Sequence, residues 1–217
     1  MKDYLIEIKN KNFGLSRSAF IEKFYNHFKN SDKYINVLET GCNYAHGYGF
    51  TNVLAHIFQN YLKGEITTID ISYKNILICK NKNKIYSDVI NYICGDSISI
   101  INSLSDDYIK SIDLFILDSY DLHLFNPDPS SIHHLKELLS FINRLDNKAW
   151  IAIDDNYLPN TSIQWNWDHG GSEIFETKEK IIGKGAYCDN FLLQNGWIKD
   201  DSILFYGQNN VFLYQKC

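Results

Sequence analysis

The sequence predicts a doubly wound α/β fold: a seven-stranded, mostly parallel sheet with helices on both faces and an antiparallel C-terminal hairpin as one edge. Short apolar, β-rich runs alternate with helical patterns from residue 35 to residue 154. The tail instead holds two β-rich runs joined by Gly207-Gln208-Asn209-Asn210, a hairpin signal. The chain of 217 residues, 45% of them apolar, supplies one sizeable core and needs no second domain.

Residues 1–34 read as a helical extension ahead of a single compact domain at 35–217. Phe20, Ile21, Phe24, Tyr25 and Phe28 recur three and four apart, so 16–30 forms an amphipathic helix with Ser16 or Ser18 as its cap. Strands are expected at 35–39, 65–71, 90–94, 112–118 and 150–154, and helices at 51–61, 73–81, 97–104 and 130–145. A later helix over 180–194 stops at Gly196, and 202–206 with 211–215 form the hairpin. Residues 157–178, aromatic and polar with no clear period, read as a long structureless loop of the kind that serves as a lid or binding loop.

The net charge is −5 and no basic run occurs, which argues against a nucleic-acid backbone or an anionic membrane surface as partner. A small molecule fits better. The five cysteines form no Cys-x-x-Cys and read as reduced thiols, and no window approaches the roughly 18 apolar residues of a membrane span, so a soluble, cytoplasmic protein is expected. Nothing in the sequence chooses between a monomer and a homodimer.

Chemistry first shows at residues 35–51, where an apolar strand ends on Glu39, bends through Gly41, Gly47 and Gly49, and restarts as a helix. Glycines let backbone approach a ligand closely, and the helix that follows turns its free N–H groups into the same space. No Gly-Lys-Ser/Thr is present, and an acid at Glu39 repels phosphate, so the favoured ligand carries positive charge or hydroxyls.

Acids recur at the other strand ends: Asp70, Asp96 just past the third strand, Asp118, and Asp154-Asp155 at the fifth. In open α/β sheets the ligand sits beyond the carboxyl ends of the strands, so these acids should converge on one crevice. An acid after the second strand typically accepts hydrogen bonds from ribose hydroxyls, which assigns Asp70 that role unless it only caps a turn.

In order and type these motifs resemble class I S-adenosylmethionine-dependent methyltransferases, a Rossmann-like fold. Val37-Leu38-Glu39-Thr40-Gly41 is similar to that family's first motif, Ile66-Thr67-Thr68-Ile69-Asp70 to its second, Cys94-Gly95-Asp96-Ser97 to its third, and 112–118 to its fourth strand. The resemblance implies S-adenosyl-L-methionine as cofactor. It places Gly41, with Gly47 or Gly49, at the methionine part, Asp70 at the ribose, Asp96 and Ser97 at the adenine, Glu39 as an anchor for loop amides or the ligand's amino group, and Asp118 beside the reacting centre, with Ile71 also among the cofactor-binding residues. The segment from Cys42 to Tyr48 is longer than the family's usual glycine loop.

Asp118, Asp154 and Asp155 also offer hard oxygen ligands of the kind Mg²⁺ prefers. They look like the ion site of metal-dependent O-methyltransferases of the catechol and macrolide-sugar types, where the ion lowers the pKa of an acceptor hydroxyl. Alternatively Asp154 caps a turn and Asp118 contacts substrate or loop amides without an ion. For a general base, His123 and His169 are the candidates, and His133-His134 at a helix start read as surface or cap residues. Trp165 and Trp167 either cover a sheet edge or wall an acceptor, and Lys184 reads as a solvated loop lysine. The leading expectation is O-methylation of a small hydroxylated acceptor. Its rivals are an aminopropyltransferase like the spermidine synthases, suggested by Asp118-Ser119-Tyr120-Asp121, and a non-catalytic nucleoside-binding module.

Overall fold

A computed structural model describes residues 1–10, 13–42, 48–146, 148–166 and 171–216. Helices α1 (Lys2–Asn10) and α2 (Leu15–Phe28) precede strand β1 (Ile35–Thr40). There follow α3 (Phe50–Asn60), β2 (Gly64–Asp70), α4 (Tyr73–Lys82), β3 (Ile90–Cys94), α5 (Ser97–Ser103), α6 (Asp106–Ser111), β4 (Leu114–Leu117), α7 (Asp128–Phe141) and β5 (Trp150–Tyr157). The C-terminal part holds β6 (Ser162–Asn166), β7 (Ser172–Glu176), β8 (Ile182–Gly183), α8 (Ala186–Gln194), β9 (Trp197–Lys199) and β10 (Asn210–Lys216).

The strands order as β3-β2-β1-β4-β5-β10-β9, with β1 to β5 mutually parallel and β10 antiparallel to both its neighbours. The expected seven-stranded, mostly parallel, doubly wound sheet is therefore present, and the two-residue β8 adds an eighth strand against β5. Strand order reverses between β1 and β4, which is where such a sheet opens a crevice. Register brings Thr40 opposite Leu117, so Gly41 and Asp118 leave the sheet side by side.

Alternation along each strand sorts the core into two layers. Val37, Leu114, Ile116, Val211 and Leu213 face a layer built by α1, α2 and α3; Leu38, Phe115, Leu117, Phe212 and Tyr214 face α5 to α8. The stretch expected as a helical extension is thus part of the first layer, with Phe20, Phe24 and Phe28 buried on the sheet. The backbone of α2 begins at Leu15, so Ser16 and Ser18 are buried inside it rather than capping it, and Ser16 Oγ accepts from the Val211 N–H at 2.9 Å.

Three other expectations change. The first arm of the C-terminal hairpin is β9 rather than 202–206, where 201–203 forms a 3₁₀ turn; the alternation in Trp197-Ile198-Lys199, with Trp197 buried and Ile198 exposed, is too short to stand out by period. The late helix starts at Ala186, because residues 182–183 pair with β5 instead. The stretch 157–178 carries the β6–β7 hairpin, apart from the main sheet; β7 is largely exposed, and among the described apolar side chains of the two strands only Ile163 is buried, so it lacks a core-strand signature. Among the described residues no helix is long and apolar enough to cross a membrane.

Candidate functional site

At the switch point the carboxyl ends of β1, β2, β3, β4 and β5 surround a cavity of about 470 Å³, the size of a small-ligand pocket. Gly41 sits at its floor with φ +84, a conformation that favours glycine, and an added Cβ would lie 2.5 Å from the Asp118 carbonyl oxygen. Gly49, just before α3, lines the wall and donates its N–H to Asn52 Oδ1 at 2.8 Å. Gly47 lies outside the described residues, as do His169 and Trp167 and the side chain of Trp165.

One half of the cavity is lined by Gly41, Cys42, Asp70, Ile71, Asn75, Asp96 and Ser97. Asp70 accepts from the Cys42 N–H at 3.2 Å, the Cys42 thiol at 3.3 Å, the Ser72 N–H at 2.7 Å and Asn75 Nδ2 at 3.4 Å, which fixes the carboxylate facing the floor glycine. Ile71 is 76% exposed and offers an apolar platform on the wall. Asp96 caps α5, accepting from the Ser99 N–H at 2.8 Å, and these Ser99 donors hold its carboxyl below the usual range. Ser97 opens that helix and is buried.

Glu39 does not line the cavity. It is fully buried behind the floor and accepts from Thr51 Oγ1 at 2.5 Å, tying β1 to the first turn of α3. Burial pushes its carboxyl well above the ordinary range, which favours the uncharged form and weakens the expected repulsion of phosphate. The missing Gly-Lys-Ser/Thr carries the larger part of that exclusion.

In the other half Asp118, Asp154 and Asp155 come together as expected, with one carboxylate oxygen from each within 4.8 Å of the others. Asp155 reaches inward because β5 bends there, with φ +52 in an otherwise extended strand. Two cations share the cluster. Arg17, from α2, donates Nε to Asp154 Oδ1 at 3.0 Å and Nη2 to Asp154 Oδ2, and reaches Asp155 Oδ1 at 3.1 Å. Lys184 donates Nζ to Asp118 Oδ1 at 2.6 Å and lies 2.9 Å from Asp155 Oδ2. Its side chain is 2% exposed, which corrects its reading as a solvated loop lysine.

Three carboxylates and two bound cations leave the cluster one negative charge when Asp118 is ionised. Asp118 has a single cationic partner; burial, reinforced by the neighbouring Asp154 and Asp155, pushes its carboxyl up to about 7 despite Lys184. Burial also opposes the charge of Asp155, but Lys184 and Arg17 outweigh it and hold that carboxyl well below the usual range. Lys184 itself is held charged, because its acidic neighbours outweigh burial.

These residues do not fit a divalent ion as they stand. Among the described residues only Asp118 Oδ2, on a carboxyl that is 25% exposed, carries no donor; both oxygens of Asp154 and of Asp155 are occupied, and Lys184 Nζ fills the point between Asp118 and Asp155. Mg²⁺ needs oxygens at about 2.0–2.1 Å and cannot share that point with an ammonium.

The histidine expectations change as well. Leu124 is buried against Tyr157, Ile163 and Ile182, which turns its neighbour His123 out to solvent, away from the cavity. His133, read as a surface or cap residue, lines the cavity; its Nε2 lies 3.3 Å from Glu137 Oε1 and 3.4 Å from Ser97 Oγ. His134 is fully buried, its Nδ1 on the Ser130 carbonyl at 2.7 Å. Glu137 accepts from Ser119 Oγ at 2.7 Å and Thr40 Oγ1 at 3.2 Å, so this buried acid braces the loop after β4. The i, i+4 spacing of His133 and Glu137 was the available signal for this network.

No protein-family model matches the sequence, and no curated protein matches it. Solved structures do share the fold. PH0226 from Pyrococcus horikoshii OT3 is 14% identical, with 93% of this chain and 91% of that chain covered at a TM-score of 0.54. An S-adenosylmethionine-dependent methyltransferase from Clostridium acetobutylicum ATCC 824 is 15% identical, covering 93% and 90% at 0.52. The complex of DhpI with SAH is 14% identical, covering 91% and 84% at 0.51. At these identities the likeness is one of fold.

Proposed function

We propose that this chain is an S-adenosylmethionine-dependent methyltransferase that transfers the methyl group to a hydroxyl of a small acceptor. The observation that carries the reading is the shared cavity: the fixed Asp70 carboxylate and the floor glycine Gly41 lie on one side of it, and the open oxygen of Asp118 on the other. The fold shared with an S-adenosylmethionine-dependent methyltransferase and with an SAH complex supports it.

The half lined by Asp70, Ile71, Asp96 and Ser97 suits a nucleoside: Asp70 accepts from ribose hydroxyls, Ile71 backs the flat base, and Asp96 and Ser97 stand at its edge. When bound, S-adenosylmethionine supplies a methyl group made electrophilic by its sulfonium charge. With Asp118 ionised, the single negative charge of the acid cluster favours a cation in this cavity. Arg17, Tyr120, Asp121 and Asp155 line the acceptor half. Asp118 Oδ2 takes the proton from the acceptor hydroxyl as its oxygen attacks, and Lys184 and the Glu137-braced loop hold Asp118 in place. Mg²⁺ assistance has no part in this reading, because the carboxylates that would hold the ion already hold Lys184 and Arg17.

The test is formation of S-adenosylhomocysteine and a methylated product across a panel of sugars, catechols and other small hydroxylated metabolites. Turnover with one class supports the reading; tight nucleoside binding with no turnover on any class would make this a binding module. A second reading, aminopropyl transfer to an amine, is favoured by Asp121 lining the same wall as Asp118. Against it, Lys184 and Arg17 already offset most of the acid charge that would hold a cationic amine, and incubation with decarboxylated S-adenosylmethionine and diamines decides between the two.

A further inference from the structure

Lys184 is a long cationic side chain with almost no exposed surface, and the chain goes to some length to put it there. Its backbone N–H donates to the Asp155 carbonyl at 3.2 Å, and the Gly185 N–H donates to Asn156 Oδ1 at 2.6 Å. Gly183, with φ +146, lies so close to the Asp155 and Asn156 backbone that no side chain fits, and Ser131 Oγ donates to its carbonyl at 2.6 Å. The short β8 pairing thereby feeds the lysine under β5 and up to the cavity.

All three ammonium donors have partners just after β4 and on β5: Asp118 Oδ1 at 2.6 Å, Asp155 Oδ2 at 2.9 Å and the Asp118 carbonyl at 3.3 Å. No N–H is left to point at an acceptor, so Lys184 acts through the two carboxylates. A point charge that bridges acids from adjacent strands, neutralises them and fixes their orientation does the structural work a divalent ion does in a carboxylate-lined site.

We propose that Lys184 is a built-in cation occupying the place of a metal ion between Asp118 and Asp155, so that this site works without a divalent ion and accepts one only when the amino group is removed. For turnover the inference rests on the methyl-transfer reading; for ion binding it does not.

The experiment is titration of Mn²⁺ into the full chain, followed by electron paramagnetic resonance and calorimetry. The expected result is no saturable site in the wild type and one ion per chain in Lys184→Met, with affinity at least roughly a hundredfold higher, because a buried positive charge a few ångströms from an incoming dication repels it strongly. Methionine keeps the length and apolar stem of lysine, and Lys184→Gln repeats the test where methionine unfolds the chain. Adding Asp155→Asn to either variant should abolish the new site. Saturable binding by the wild type that Asp155→Asn removes would overturn the proposal, as would a folded Lys184→Met and Lys184→Gln that both stay silent. Failure of the methyltransferase reading would show separately, as failure to bind S-adenosylhomocysteine, and leaves the manganese result readable.

Discussion

Replacing Gly41 by alanine tests how closely β1 and β4 converge at the cavity floor. At φ +84 an alanine is in the left-handed region, which costs about 1–2 kcal/mol. Its Cβ would also meet Asp118 O at 2.5 Å, Asp118 C at 2.8 Å and Ser119 Cα at 2.9 Å, all backbone atoms, whereas ordinary contact begins at 3.4 Å. The two strand ends must part by about 1 Å, an overpacking cost of about 1–3 kcal/mol, for about 2–5 kcal/mol in total. Domains of this kind have about 5–15 kcal/mol of stability, so the variant should fold and unfold at lower urea with an unchanged slope. Because the shift moves Asp118 relative to the floor, binding of S-adenosylhomocysteine should weaken and any turnover fall by about a hundredfold. Gly14 is the control: φ is +89 but nothing lies within 4 Å, so Gly14→Ala should show only the backbone cost and leave binding intact. Equal losses in the two variants would refute the close contact between Gly41 and Asp118.

Arg17→Ala leaves Asp154, 1% exposed, as an unpaired buried charge and should cost about 3–5 kcal/mol in urea denaturation; Arg17→Lys should recover only part, since one ammonium cannot serve both oxygens, and unchanged stability would remove the pair from the account. Glu39 is protonated when folded and ionised when unfolded above about 4.5, so wild-type stability falls as pH rises from there toward the raised folded value; Glu39→Gln should remove that slope, its melting advantage growing with pH, and parallel curves would count against a neutral Glu39. With Asp118 raised to about 7 and acting as base, kcat/KM should climb about tenfold per pH unit below 7 and level off above it; an Asp118→Asn enzyme of equal rate would remove it as the base.

Much of this fold was legible because its cause is local. The five apolar runs that became β1 to β5 announce themselves by composition, and the strand-end acids follow from where an α/β sheet binds. The site's charge balance was not legible, because it is made by distant partners. Arg17 meets Asp154 across 137 positions, and Lys184 meets Asp118 across 66. A faint signal existed for each: Arg17 is one of only two arginines in a lysine-rich chain, placed where two parallel donors are needed, and Lys184 stands between two glycines. His133 turns to the cavity and to Glu137 through helix register, which depends on where α7 begins and is not set by residue spacing alone. The β6–β7 hairpin carries no buried-strand pattern because β7 is exposed.

The central claim is that this cavity holds S-adenosylmethionine or its demethylated product, anchored by Asp70. Calorimetric titration of S-adenosylhomocysteine into the wild type and Asp70→Asn tests it directly. The account predicts one saturable site in the wild type, weakened about tenfold to a hundredfold in the variant as charge-assisted hydrogen bonds to the ribose are lost. No heat of binding in the wild type, or equal affinity in both proteins, would contradict it.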